Sequence, residues 1–245
     1  MTFADAALLV AGGLVAGAVN TLAGAGSLLT VPLLVLVGLP GGMANGTNRI
    51  GVLLQNLVAA WRFRAAGVSG IRPALPLLLP IALGSFAGAF VIAHVPDDLF
   101  QRLFGLLMLG LLVPILHTTA RPHREPKPWP APLTFVFFFL VGAYGGAFQA
   151  GVGLAILYGL SFAGHDLVRG NSIKVVVNAV LTVVALPVFL LKGQIAWGPA
   201  LTLAAGFVGG GIVGVRLAVY GGERVIRPVL VAAVLALAGR MLGIY

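Results

Sequence analysis

Residues 44 to 56 read ANGTNRIGVLLQN and carry Asn45, Thr47, Asn48, Arg49, Gln55 and Asn56. They close a run, 6 to 48, without one Asp, Glu, Lys, Arg or His. A second cluster, VRGNSIKVVVNAV at 168 to 180, carries Asn171, Ser172, Lys174 and Asn178. Arg49 in the first and Lys174 in the second, which also opens on Arg169, lie among neutral amides and hydroxyls inside an apolar chain. A charge kept in such surroundings is costly and marks a functional site. All six acidic residues (Asp5, Asp97, Asp98, Glu125, Asp166 and Glu223) fall in loops or at segment ends. A cation site or a proton relay would want a carboxylate inside, so the chemistry expected here is anion binding.

Two glycine motifs join these clusters. NTLAGAGSLLTVP (20 to 32) supplies Asn20, Gly24, Gly26 and Ser27, and AFQAGVGLAILYG (147 to 159) supplies Gln149, Gly151 and Gly153. Glycine lets a backbone come close to a ligand. Breaks at Gly24 and Gly151 would open helix N-termini at Ser27 and Leu154, each with about four unpaired N–H groups and a partial positive charge. Thr47 and Asn48, like Asn171 and Ser172, are placed to cap two further N-termini. Up to four helix N-termini, the cations Arg49 and Lys174, and the amides of Asn20, Asn48, Gln55, Gln149 and Asn178 would form a site for a small oxyanion. Plainer readings exist. Arg49 could snorkel to the surface, Lys174 could be a cytoplasmic anchor, and Gly-x-Gly could serve helix packing. The mirrored occurrence of both clusters favours the site.

The elements that must position these residues are membrane helices. Of the 245 residues 60% are hydrophobic and 9% charged, where a soluble domain carries roughly 25% charged. Mean hydropathy is +1.08. Ten apolar segments are expected: 4–22, 27–39, 47–64, 72–93, 99–118, 132–148, 152–163, 170–191, 197–219 and 225–243. They do not alternate polar and apolar as barrel strands do. The chain reads as an all-α polytopic membrane protein. The opening pair of each half could cross fully or dip to mid-membrane and return; the short second and seventh segments favour the dipping hairpin, because a span needs about 20 residues.

The Pro-rich, charged stretch HTTARPHREPKPWPAP (117 to 132) divides the chain. Its two sides match in order and chemistry, giving an N-terminal repeat over 1–118, a cytoplasmic linker over 119–131 and a C-terminal repeat over 132–245. Basic loops stay cytoplasmic. That rule puts Arg62, Arg64, Arg72, Arg121, Arg124, Lys127, Arg169, Arg216, Arg224 and Arg227 inside, and Arg102, Lys192 and Arg240 outside. Both termini then lie outside. The halves run in opposite directions, an inverted-topology repeat of about five segments each, as in many secondary transporters.

Other classes find little support. There is no cysteine. The N-terminus lacks a basic region for a cleaved signal. The basic residues are scattered over short loops, so nucleic acid is not expected. His117 and His123 lack metal-ligand spacing, and no phosphate-binding loop is present. Ser27 has no base beside it, and His165-Asp166 reads as a turn. No enzyme, metal or cofactor is expected. Gly-rich faces such as GFVGGGIVG (206 to 214) allow close packing within a chain or between the chains of a homodimer.

Through GAGSLLTVP, ANGTN, the basic linker, QAGVG and GNSIKVVVN, the chain resembles the sulfite exporter TauE/SafE family over nearly its whole length. The resemblance implies transport of sulfur oxyanions or organosulfonates, such as sulfite or sulfoacetate, across the bacterial cytoplasmic membrane. The expectation is an exporter, since an anion leaving a negative-inside cell moves downhill by about 2.3 kcal/mol per charge per 100 mV. An anion channel, a carrier of another small anion and a non-transporting assembly subunit are the alternatives.

Overall fold

The computed structural model describes residues 1–117 and 129–220. The tenth expected segment, 225–243, and most of the 119–131 linker lie outside them. The described residues form α1 (Phe3–Ala23), α2 (Ser27–Leu36), α3 (Gly41–Ala65), α4 (Ile71–Ile92), α5 (Asp97–His117), α6 (Ala131–Phe148), α7 (Val152–Phe162), α8 (Leu167–Leu191) and α9 (Trp197–Tyr220). Five of these, α1, α4, α6, α8 and α9, are long and apolar enough to cross a membrane. With 25 residues, α3 has the length as well, about 37 Å, but carries three arginines. The protein is a multi-pass helical membrane protein.

Local chemistry sets the helix ends. Thr2 and Asp5 form a reciprocal capping box at the start of α1, satisfying two orphan N–H groups. Asp166 caps α8 by accepting from the Arg169 N–H at 2.9 Å, which is the turn expected at His165-Asp166. Burial, and then neighbouring Arg169, hold the His165 imidazole below its usual range. Gly24 ends α1 with φ +69°, the left-handed conformation that glycine adopts without steric cost.

The third segments start earlier than expected. Helix α3 begins at Gly41 behind Pro40, and α8 at Leu167. Thr47, Asn48, Asn171 and Ser172 therefore sit one to two turns inside their helices and cap nothing. The Gly42 N–H at the real start of α3 is met by the Asp97 carboxylate at 2.7 Å, a favourable charge at a helix N-terminus. Similarly, α7 starts at Val152, two residues before the expected Leu154.

Glycine contacts give the sense of the packing. Gly13 lies against Leu203 and Phe207, Gly17 against Gly211, and Gly214 against Ala18 and Thr21, so α1 and α9 run parallel. Gly142 lies against Ile81 and Gly146 against Ser85, so α4 and α6 run parallel. Gly51 meets Phe207 and Gly211 meets Gln55, which makes α3 parallel to α9. Gly70 meets Ser172, and the Ser85 hydroxyl donates to the Leu181 carbonyl at 2.6 Å, which makes α4 parallel to α8. Gly46 meets Phe189 while Phe63 packs with Val175, so α3 and α8 are antiparallel. Hence α1, α3 and α9 point one way, and α4, α6 and α8 the other. The main packing pairs also exchange when the halves are swapped: α1–α9 becomes α6–α4, and α3–α9 becomes α8–α4. The small residues of 206–214 serve this packing within the chain.

Charge follows the same geometry. The Ser172 hydroxyl donates to the Val68 carbonyl at 2.7 Å, which brings the start of α8 to the α3–α4 turn. Arg62, Arg64, Arg72 and Arg169 thus share one end of the bundle. Asp97, Asp98 and Lys192 lie at the other end, where Gln194 adjoins Gly42 and Gly46.

Candidate functional site

Two helical hairpins meet inside the bundle. The arms α2 and α7 have 10 and 11 residues, about 15–16 Å of helix, too short for a 30 Å hydrocarbon core. The Gly153 N–H donates to the Gly24 carbonyl at 3.3 Å. A Cβ on either glycine would fall on the other's backbone, so the two breaks abut. Gln55 of α3, which accepts from the Asn20 amide beside the first break, stands ten residues before the end of α3 at Ala65. The break therefore lies about 15 Å short of that end.

Each half sends its cation into the other half. Arg49 of α3 donates through Nη2 to the carbonyls of Gly146 and, at 3.3 Å, Ala147, and through Nη1 to Gln149 Oε1 at 2.8 Å. The carbonyls of Gly146 and Ala147 close the last turn of α6, where a helix leaves its final carbonyls unpaired, while the Gly145 carbonyl also accepts from the Gln149 N–H at 2.9 Å. Lys174 of α8 donates to the carbonyls of Asn20 and Thr21 at 3.0 and 2.6 Å, in the last turn of α1, and to Asn171 Oδ1 at 2.6 Å. Both cations sit at the negative end of a helix dipole, which favours positive charge. Both are fully buried, Arg49 at 0% and Lys174 at 1% exposure. The Phe189 ring stacks on the Arg49 guanidinium with its centroid 4.3 Å away, a further favourable contact for a cation.

Amides and hydroxyls complete two shells around the breaks. In the first, Gln55 accepts from Asn20 and donates to Thr21 Oγ at 2.8 Å. Asn48 donates to the Ser27 hydroxyl at 2.9 Å and accepts from Thr30 at 2.6 Å, at the N-terminus of α2. In the second, Gln149 donates to Asn178 Oδ1 at 3.0 Å and to Thr182 Oγ at 2.9 Å. Tyr144 donates to the Ala150 carbonyl, bracing the second break from α6. Gln149 itself ends α6 with φ +62°, the one non-glycine residue in that region among those described. Such a conformation costs about 1 kcal/mol or more and persists where the surroundings enforce it.

All the residues expected from the sequence (Asn20, Gly24, Gly26, Ser27, Thr47, Asn48, Arg49, Gln55, Gln149, Gly151, Gly153, Asn171, Lys174 and Asn178) are buried. Most gather at the breaks. Thr47 does not: its hydroxyl accepts from the Ala196 N–H at 2.9 Å, at the foot of α9. The expected four converging N-termini reduce to two, those of α2 and α7, because α3 and α8 begin elsewhere. Sequence reasoning missed Thr21, Thr30, Tyr144 and Thr182. Only their spacing from the glycine motifs on one helix face could have pointed to them. Asn45, whose amide donates to the Ala147 carbonyl at 2.8 Å, was visible in the opening motif but had no assigned role. Two groups here lack a partner: Arg49 Nε and Asn45 Oδ1. Among the described residues no group of three His, Cys, Asp or Glu side chains comes together, and no carboxylate is buried.

This arrangement can hold a small anion: it is positive, buried and rich in neutral donors. The chain is similar to several curated membrane proteins. A probable membrane transporter protein of a Sinorhizobium species is 28% identical over 97% of this chain and 92% of its own length. One of Haemophilus influenzae is 28% identical over 92% of this chain and 89% of its own. One of Xylella fastidiosa is 31% identical over 84% of this chain and 82% of its own. No solved structure matches the chain. The family model for Sulfite exporter TauE/SafE matches residues 9–241, and the chain belongs to that family.

Proposed function

We propose that the protein is a secondary transporter that moves a small anion outward across the bacterial cytoplasmic membrane. The anion class is a sulfur oxyanion or an organosulfonate, such as sulfite or sulfoacetate. The family and the probable-transporter names of its relatives support transport. One observation carries the anion: two buried cations face no buried carboxylate among the described residues. Each helix C-terminus offsets about half a unit charge, so a net charge of roughly +1 remains before the N-termini of α2 and α7 add to it. An anion between the hairpins balances this charge.

The two halves act as an inverted repeat, and one rocks against the other. The opposed directions of α1 and α6, and of α3 and α8, support that reading, as does the exchange of packing pairs. The arginine-rich end faces the cytoplasm under the positive-inside rule, which puts the N-terminus outside. Because the site is buried on every side, the reading favours a carrier with alternating access over an open channel.

The test uses purified full-length protein in liposomes on a solid-supported membrane, with jumps of sulfite, sulfoacetate, sulfate and chloride. A saturable current for a sulfur anion is expected, with little or none for chloride. Absence of current for all four, together with no flux of radiolabelled sulfite, would contradict the proposal.

A further inference from the structure

Gln149 stands where the first half has Gly24: both end a helix in the left-handed conformation, at φ +62° and +69°. A glycine would meet that backbone requirement more cheaply. Its amide therefore has another use. Every polar atom of the side chain is engaged: Oε1 accepts from Arg49 at 2.8 Å, and Nε2 donates to Asn178 at 3.0 Å and to Thr182 at 2.9 Å. Thr182 in turn donates to the Asn178 carbonyl at 2.7 Å, so α8 fixes the amide and the amide fixes the guanidinium. Arg49 Nη1 and Nη2 are then committed to Gln149 and to the α6 carbonyls, and Nε–H is left without an acceptor at a side chain 0% exposed. A buried charged donor without a partner is expensive and points to a group that completes it.

The choice of an amide matters. A glutamate in the same place would hold the guanidinium as well or better, but it would cancel the charge. We propose that Gln149 is a positioning residue that sets anion selectivity: it fixes the Arg49 guanidinium without neutralising it, which keeps the charge and the Nε–H for the transported anion. The inference rests on the anion-transport reading above and adds the residue that preserves the charge. It also explains why the second break keeps a side chain where the first keeps none. The cation at the first break, Lys174, is held by the carbonyls of Asn20 and Thr21 and by Asn171 of its own helix, without a side chain at position 24.

The experiment compares wild type, Gln149→Glu and Gln149→Gly in the same liposome currents, with sulfite and sulfoacetate titrated to saturation. Gln149→Glu nearly preserves the side-chain shape, and Gln149→Gly relieves the backbone. Monodispersity and Tm confirm that each variant is folded before its currents are compared. Gln149→Glu is expected to raise the half-saturating concentration by at least about tenfold, the size of a lost charge-pair contact in a desolvated site. Gln149→Gly keeps the charge but loosens the guanidinium, and a smaller rise is expected. If wild type transports and Gln149→Glu saturates at the same concentration, the inference is overturned and the transport reading stands. It is equally overturned if Gln149→Glu and Gln149→Gly shift by the same factor, since a structural role alone would do that. If wild type carries no sulfur anion, the transport reading fails and takes this inference with it.

Discussion

The breaks at Gly24–Gly26 and at Gln149–Gly151 do one job with different residues. Each ends a helix in a left-handed residue, starts a short returning helix, and receives a cation from the opposite half. The first uses glycine, and hydroxyls of Ser27 and Thr30 sit at the N-terminus of its returning helix. The second uses Gln149 and a tyrosine brace, and its returning helix opens on Val152 and Gly153. What must match across the halves is backbone turn and charge. The neutral groups around them are free to differ, and that difference makes the site one-sided.

The largest effect should come where the breaks touch. Gly24→Ala places a Cβ on the Gly153 backbone and forces φ +69° on alanine. Nothing flexible can yield, so destabilisation of more than about 3 kcal/mol is expected, seen as loss of monodisperse protein in detergent. Gly151→Ala forces the same φ of +69°, but the nearest atoms its Cβ meets belong to the flexible Leu111 side chain, at 2.7 Å and beyond, so it should cost less, about 1–2 kcal/mol. Equal losses at the two positions would break the claim that the hairpins abut at Gly24.

Next come the cations. Arg49→Ala strands the Gly146 carbonyl and Lys174→Ala the Thr21 carbonyl, and each should cost about 2–3 kcal/mol and abolish the current. Arg49→Lys keeps the charge but lacks the planar fork that reaches Gln149 and the carbonyls together. A loss of about 1–2 kcal/mol, read as a lower Tm, is expected. The smallest effect is local. Tyr144→Phe removes the brace on the Ala150 carbonyl at a cost of about 1 kcal/mol. Hydrogen exchange should rise at 149–151 and stay unchanged at 24–26, where Val19 occupies the matching place in α1. Faster exchange at both breaks would show that they open as one unit rather than separately.

Much of this was legible in the sequence. Long uncharged runs required membrane helices, and the short segments 27–39 and 152–163 marked the returning arms now seen as α2 and α7. The glycine pairs located both breaks. The starts of α3 and α8 were not legible. Gly41, Gly42 and Asn45-Gly46 look like a loop by propensity, yet tertiary packing keeps them helical: a Cβ at Gly46 would strike the Gln194 carbonyl. The roles of the cations were hidden for a related reason. Arg49 meets carbonyls 96 to 98 residues away and Lys174 meets carbonyls 153 and 154 residues away. No local pattern announces such crossings. Sequence put both charges in the interior beside converging helix N-termini, all facing a shared anion, whereas both cations bind the carbonyls of helix C-termini.

The central claim is that an anion completes the positive centre between the two breaks. A cryo-EM map of the full chain in saturating sulfite tests it most directly. The account predicts density for the anion within hydrogen-bond reach of Arg49 Nε, close to the N-terminus of α2. Sulfite bound elsewhere, with Arg49 Nε still unpaired, would contradict it.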